Sequence, residues 1–290
     1  MASLRDIRKR IRSVKSTQKI TGAMKLVAAA KLRRAQDAIL TARPYAVQLG
    51  GLLHRVATRA HDQHGNTPHP LLEHREPKRV LLVVMTSDRG QCGAFNANIL
   101  KRAERFVAEN QGNYESLQLA TVGKKGAEYF RKRKVATVRD FPGVFHELTF
   151  RRASEIAFGL ADEFKAHDLD AVYLLYNEFK NAAMQRVVVE SLLPIVHEEL
   201  PVGDDADYIY EPNQEQVLDS LVPRYVATHV WRALLESFAG EQGARMTAMD
   251  GASKNAKELV GSLTLAYNRA RQSAITTELM DIVGGAEALK

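Results

Sequence analysis

Residues 218–277 read LDSLVPRYVATHVWRALLESFAGEQGARMTAMDGASKNAKELVGSLTLAYNRARQSAITT. From Leu218 the positions Leu221, Tyr225, Thr228, Arg232, Leu235, Ala239, Gln242, Met246, Met249, Ser253, Ala256, Val260, Leu263, Tyr267, Ala270, Ala274 and Thr277 advance by alternating steps of three and four. That spacing is a heptad seam, one stripe along one helix, sustained for roughly eight heptads. After Pro223 no proline interrupts it. A helix from Glu211 to Leu289 would reach about 120 Å at ~1.5 Å per residue, several times the width of an ordinary domain. Its own globular domain cannot bury it along that length, so the seam needs a partner helix. Its composition is unusual: Ala, Ser, Thr, Gln and Gly are common and Leu is sparse. Gly240, Gly243, Gly251 and Gly261 each cost ~1 kcal/mol of helix propensity relative to Ala. Taken alone, the stretch fits a marginal coiled coil held by something wrapped around it, and equally an ordinary helical bundle.

The N-terminus supplies a matching seam. Ile7, Ile11, Val14, Gln18, Thr21, Lys25, Ala28, Leu32, Ala35, Ile39, Ala42, Ala46, Leu49, Leu53 and Val56 keep the same alternation through roughly seven heptads. Ser3 is placed to cap the start, and Pro44 is the expected kink or break. Two long, weakly hydrophobic seams at opposite ends of one chain predict an antiparallel coiled coil of residues 1–58 with residues 211–289. The C-terminal helix, being longer, should overhang its partner.

Charge is unevenly spread. Residues 1–57 hold thirteen Lys/Arg against two acidic residues, a charge of +11 within a chain of net +7, so the remainder carries −4. An arm this basic expects an acidic partner, a phosphate backbone or an anionic membrane surface. No apolar run approaches the ~20 residues of a membrane span, and the N-terminus lacks the apolar core of a secretory signal. Cys92, the single cysteine, excludes an internal disulfide and suits a reducing compartment. His61, His64, His69 and His74 fall in a His/Pro/Gly/Asn stretch from about Arg59 to Lys78. It reads as a solvated connecting loop rather than a metal site.

Between the arms the period changes. Arg79–Thr86 (RVLLVVMT) is a continuous apolar run of the kind buried on both faces of a sheet. Helices are expected over Ala94–Glu109, Lys124–Arg133 and Arg152–Ala166, and strands over Leu117–Val122, Val135–Arg139, Ala171–Tyr176 and Gln185–Leu192. The alternation predicts a small, Rossmann-like doubly wound α/β domain over residues 78–195, inserted between the helices. Such folds bind ligands where the first strand meets its helix, here Met85–Ala97 (MTSDRGQCGAFNA). Neither GxGxxG nor GxxxxGK[ST] occurs there or elsewhere, and Gly123-Lys124-Lys125-Gly126 lacks the phosphate-loop spacing. Asp88 as a metal ligand and Cys92 as a nucleophile have no supporting constellation. The turn reads as a carrier of partner contacts, with no catalytic residue, cofactor or metal expected. Pro194–Pro212 is an acidic connector whose Tyr208, Tyr210 and Glu211 form either a docking foot or packing for the end of the domain.

Three motifs, taken together, resemble one family. IRKRIRSVKSTQKITGAMKLVAAAKLRRAQ (7–36), SDRGQCGAFN (87–96) and NRARQSAITTELMDIVGGAEAL (268–289) are similar, in this order, to the gamma subunit of F-type ATP synthase, the rotating central stalk. The resemblance runs essentially end to end. It implies a rotor that couples rotation of a membrane ring of c subunits to sequential conformational change, and so to ATP synthesis or hydrolysis, in a ring of alpha and beta subunits. It also implies regulation of ATPase activity and proton flow. The chemistry would belong to the neighbours, making this a non-catalytic subunit without cofactor.

The resemblance carries over to particular positions. Met24 and Lys25 match a neck that meets an acidic lever of the beta subunit, with Gly22 standing where the family commonly has a larger polar residue. Arg89 and Cys92 match a loop near the same lever. Arg271, Gln272 and Thr276 match positions that hydrogen-bond a catch loop of the ring. Tyr208 and Glu211 match the foot on the c ring. The implied partners are the alpha, beta and epsilon subunits and the c ring. The implied location is the cytoplasmic side of a bacterial inner membrane, as a peripheral protein without the cysteine-bearing insert of chloroplast relatives. A nucleic-acid-binding arm built on Arg5, Arg8, Lys9, Arg10, Arg12 and Lys15 is the rival reading. It is disfavoured because those charges lie on a helix with a matched seam and no aromatic stacking platform accompanies them.

Overall fold

The apolar run Arg79–Met85 becomes β1, at the centre of a five-stranded sheet. The structure, a computed structural model, describes residues 3–64, 69–166, 169–182, 184–195 and 210–287. In chain order the elements are α1 (Leu4–His64), a 3-10 turn (Pro70–Leu72), β1, α2 (Phe95–Glu109), β2 (Ser116–Val122), α3 (Lys124–Lys132), β3 (Arg139–Phe141), α4 (Phe150–Ala166), β4 (Ala171–Phe179), β5 (Gln185–Leu193) and α5 (Gln214–Glu287). Strand order is β3-β2-β1-β4-β5, parallel except for the antiparallel β4–β5 pair. Consecutive β1 side chains alternate between two cores. Leu81, Val83 and Met85 join one with Ile156 and Leu160 of α4, while Leu82 and Val84 join the other with Ile99 of α2 and Phe130 of α3. Helices on both faces make the sheet doubly wound, and they explain why β1 carries no polar face.

Two compact units emerge, residues 29–244 and residues 1–28 with 245–290. The first contains the sheet together with the N-terminal part of α5, so the division falls within both long helices rather than at the ends of the sheet domain. In the larger unit α5 is buried on more than its seam. Val222, Val226, Val230, Ala233 and Leu234 are 1% exposed or less and belong to the core that α4 shares. Leu49, Leu53 and Val56 of α1 close the same core.

In the smaller unit the two helices run antiparallel. Lys25 Nζ meets Asp250 Oδ1 at 2.7 Å, and Arg8 hydrogen-bonds the Tyr267 hydroxyl, an equal step away in the opposite direction along each helix. The Arg8 guanidinium also lies over the Tyr267 ring, 5.4 Å from its centroid. Every seam position of α1 from Ile7 to Val56 is partly or fully buried, among the residues facing water around it. On α5 the seam holds to Ala270, whereas Ala274 and Thr277 are exposed, because α1 begins at Leu4. The overhang expected of the longer helix is therefore present.

Several expectations need correction. Pro44 does not end α1, which continues through it to His64. The proline is exposed, so the carbonyl its ring deprives of a donor can face water. The third strand is Arg139–Phe141 rather than Val135–Arg139, because pairing with β2 starts at Ala120↔Arg139 and leaves Val135 and Val138 each 41% exposed. His69 is buried rather than solvated. Its Nδ1 accepts a hydrogen bond from Leu71 N, and burial pushes its pKa down. His74 is exposed.

Candidate functional site

In the larger unit the candidate contact loop leaves β1 at Thr86 and Ser87, both fully buried. Ser87 N donates to Asn96 Oδ1 (2.9 Å) and Ser87 Oγ to the Arg89 carbonyl (2.6 Å), tying the loop to the first turn of α2. Asn96 Nδ2 approaches Cys92 Sγ at 3.3 Å, and Cys92 is 1% exposed. The thiol thus faces inward and shapes the loop that it shares with Arg89. Arg89, Gly90 and Gln91 form the exposed tip, with Gln91 in the left-handed region (φ +63°). Asp88, one residue earlier, points the other way. Its carboxylate accepts from Lys124 N (3.0 Å), Gly143 N (2.8 Å) and Phe145 N (2.9 Å).

The same unit contains a polar cluster between sheet and helix. Glu190 on β5 accepts from the Tyr176 hydroxyl (2.7 Å), contacts His229 Nε2 (2.9 Å) and pairs with Arg232. Burial would push Glu190 up, but hydrogen bonds from His229 and Tyr176 and the cationic neighbours outweigh it, holding the carboxyl at about 2. Arg232 and His229 line a cavity of about 420 Å³ with Tyr225, His54 and Gly50.

In the smaller unit Met24 and Lys25 are half-buried. Asp250 takes Lys25 on one oxygen and Lys254 on the other (2.8 Å), and those two hydrogen bonds hold its carboxyl at about 2. Lys25 is thus a staple between α1 and α5 as well as a candidate contact. Gly22 leaves ordinary room, since a Cβ there would lie 4.0 Å from Ser253 Oγ. Arg271, Gln272 and Thr276 are all exposed on the overhang, and the Thr276 hydroxyl donates back to the Gln272 carbonyl (3.0 Å).

Around these positions lie apolar residues that the seam reading left unassigned. On α1 they are Ile20, Leu26 and Val27, at 57%, 70% and 56% exposure. On the overhang they are Ile275, Leu279, Met280, Ile282 and Val283, at 46–68%. Their signal was available: they are large apolar residues off the seam. Glu211 is exposed just before α5, whereas Tyr210 packs against the core of the larger unit. Tyr208 lies outside the described residues.

Among the described residues no group of three or more His, Cys, Asp or Glu could hold a metal ion, and no helix is long and apolar enough to cross a membrane. The loop tip at Arg89–Gln91 and the overhang from Arg271 to Gly284 are exposed to water.

Comparison with known proteins agrees with the end-to-end resemblance. A family model described as ATP synthase matches residues 3–289. The ATP synthase gamma chain of Anaeromyxobacter sp. (strain Fw109-5) is 55% identical over 294 residues, covering 100% of both chains. That of Geobacter sp. (strain M21) is 50% identical over 295 residues, again covering 100% of both. Among solved structures, a chain of the central stalk and c-ring of Tetrahymena thermophila mitochondrial ATP synthase superposes with a TM-score of 0.63 at 28% identity, over 81% of this chain and 99% of that one. A chain of the Euglena gracilis mitochondrial ATP synthase shares the fold, with a TM-score of 0.69 over 99% of this chain and 94% of that one, at 22% identity. The chain belongs to the ATP synthase gamma-chain family.

Proposed function

We propose that this chain is the central-stalk rotor of a bacterial, proton-translocating F-type ATP synthase. The observation that carries the reading is the overhang of α5. From Arg271 to Gly284 every residue is exposed, including five large apolar ones, so the helix has the surface of a shaft made to be enclosed. In this reading the alpha and beta subunits surround the overhang, and Arg271, Gln272 and Thr276 hydrogen-bond the ring. Met24, Lys25 and the Arg89 loop meet the beta-subunit levers. The foot near Glu211 and Tyr208 rests on the c ring, and the epsilon subunit attaches to the stalk. The chain would sit peripherally on the cytoplasmic side of the inner membrane.

The mechanism follows from asymmetry. Three chemically identical sites in a ring meet three different faces of one shaft, so each is biased toward a different conformation. A bias requires differential contact free energy, and turning the shaft passes the biases round the ring in sequence. Slippage demands that no contact dominate. Charge-assisted hydrogen bonds of ~1.5–3 kcal/mol each can set a register without locking it. The chain needs no phosphate loop, because bond making and breaking take place in the neighbours.

The test is ATP hydrolysis by matching alpha and beta subunits mixed with this chain, with and without the Arg271→Ala/Gln272→Ala double change. Activity should require the chain. It should fall at least about tenfold in the double variant if one such bond of ~1.5 kcal/mol supports the rate-limiting state. Dependence on the chain without sensitivity to the variant would remove the assigned contact and keep the rotor. A folded chain that neither joins the ring nor raises activity would remove the rotor reading itself.

A further inference from the structure

A helix N-terminus above the C-terminal end of a parallel strand points free N–H groups outward and is a ready anion site. At the N-terminus of α3 that place is already taken. The first three amides of α3 are all satisfied by the segment that follows β1. Lys124 N donates to the Asp88 carboxylate, Lys125 N to the Ser87 carbonyl (3.1 Å) and Gly126 N to Thr86 Oγ1 (2.7 Å). Gly123, which caps α3, supplies no side chain to do this, and its φ of +90° lets the backbone come so close that an added Cβ would stand 2.1 Å from the Thr86 carbonyl oxygen. The second and third donors to Asp88, Gly143 N and Phe145 N, come from the turn after β3. One carboxylate therefore gathers N–H groups from the loops after β2 and β3 onto the loop after β1.

We propose that Asp88 is a built-in anion: it fills the anion site at the N-terminus of α3 and, by doing so, positions the exposed Arg89–Gln91 tip as a fixed contact. A phosphate or carboxylate ligand at that helix start would have to compete for the donors that Asp88 already holds. Immediately after Asp88 the chain reverses, with the Arg89 carbonyl held by Ser87 Oγ, so the direction of the Arg89 side chain is set between two anchored residues. Asp88 touches no partner in this scheme. It is a positioning residue, and that half of the inference rests on the proposed contact between the Arg89 loop and the ring.

The test uses the full-length chain. In Asp88→Ala, hydrogen exchange at the amides of Lys124, Gly143 and Phe145 should quicken at least tenfold. Added formate should restore protection, whereas chloride at equal ionic strength should not, because only a planar carboxylate reproduces the bridging of several donors. Unchanged exchange, or equal responses to formate and chloride, would overturn the built-in anion. Asp88→Asn guards against a variant that fails to fold. It keeps one acceptor oxygen, so protection should persist on one side of the cage and drop on the other; full protection at all three amides would also overturn it. In the assembled ring, Arg89→Ala and Asp88→Ala should lower ATP hydrolysis together, with formate rescuing only the second. If Arg89→Ala leaves hydrolysis unchanged while formate still restores the Asp88→Ala amides, the contact reading fails and the built-in anion stands.

Discussion

The glycines of α5 give the sharpest check on how the long helix is packed. Replacing a helical glycine with alanine should stabilise by ~1 kcal/mol where the new methyl meets nothing. At Gly251 an added Cβ has no atom of this chain within 4 Å, so Gly251→Ala should gain about that amount. At Gly243 the same atom would stand 3.1 Å from both Cα and O of Ala182. That backbone cannot easily retreat, because Asn181 and Met184 are cross-linked by reciprocal backbone hydrogen bonds and by the Asn181 side chain. Overpacking of this kind costs ~1–3 kcal/mol, which outweighs the propensity gain and leaves Gly243→Ala destabilised by about 1 kcal/mol. Gly240 is intermediate. Its nearest neighbour is Gln185 Cγ at 3.2 Å, a side-chain rather than a backbone atom though anchored at its amide by Asn181 and Ala182, so the two effects should nearly cancel. Native-state hydrogen exchange reads each change locally, and 1 kcal/mol corresponds to about fivefold in protection. Amides flanking residue 251 should exchange about fivefold more slowly in its variant, and those flanking 243 about fivefold faster in the other. Equal stabilisation by both substitutions would refute the close approach of α5 to the β4–β5 turn.

Two further outcomes follow from the larger unit. Glu190 is held at about 2, below the ordinary 4.5 of a glutamate, so its contribution is present above 4.5 and lost as the pH falls from 4.5 toward 2. A shift of that size is at most about 3 kcal/mol. Glu190→Gln should therefore unfold more readily at neutral pH and show a flatter acid limb than the parent; parallel acid limbs would discard the assignment. Half-buried Glu236 is shifted upward, first by desolvation and in part by Glu190 itself, so its shift should shrink in the variant and the acid limb reads the two carboxylates together. Gly123→Ala should be far more damaging than any α5 change, because it joins a glycine-only conformation to a 2.1 Å clash with backbone. A loss of about 3 kcal/mol or more is expected in thermal or urea unfolding, and a near-neutral result would contradict the described turn.

How far the sequence discloses the fold depends on how many surfaces each element touches. On α1 the seam is legible position by position, because one stripe packs on one partner and the other faces stay wet. Along α5 the same counting finds the stripe and misses the second buried face at Val222, Val226 and Val230. A helix apolar on two sides has no single period to find. β1 declares itself by continuous burial. β3 does not, because a three-residue edge strand is fixed by where Ala120 can pair rather than by the β-branched Val135 and Val138. The site divides along the same line. Arg89, Arg271 and Gln272 stand in motifs and are readable by resemblance, whereas the partners of Asp88 lie 36, 55 and 57 residues further on, beyond any local motif.

The two halves of α5 explain why a helix of such low hydrophobicity serves this fold. In its first half, Ser237, Glu241 and Gln242 are at most 4% exposed, so even polar side chains are enclosed by the larger unit. At the overhang the arrangement inverts: Ile275, Leu279, Met280, Ile282 and Val283 lie half or more in water while nothing of this chain covers them. Fully burying a large apolar side chain is worth ~1.5–3 kcal/mol. Five that are about half exposed thus leave on the order of 5 kcal/mol of burial unrealised in the isolated chain. At 3.6 residues per turn these five side chains fall within about 160° of the helix circumference, so the overhang has an apolar side and a side without large apolar residues. A sleeve that enclosed it would therefore meet a different surface at each rotational position. A shaft needs that asymmetry, because only unequal contact lets identical neighbours tell which way it faces.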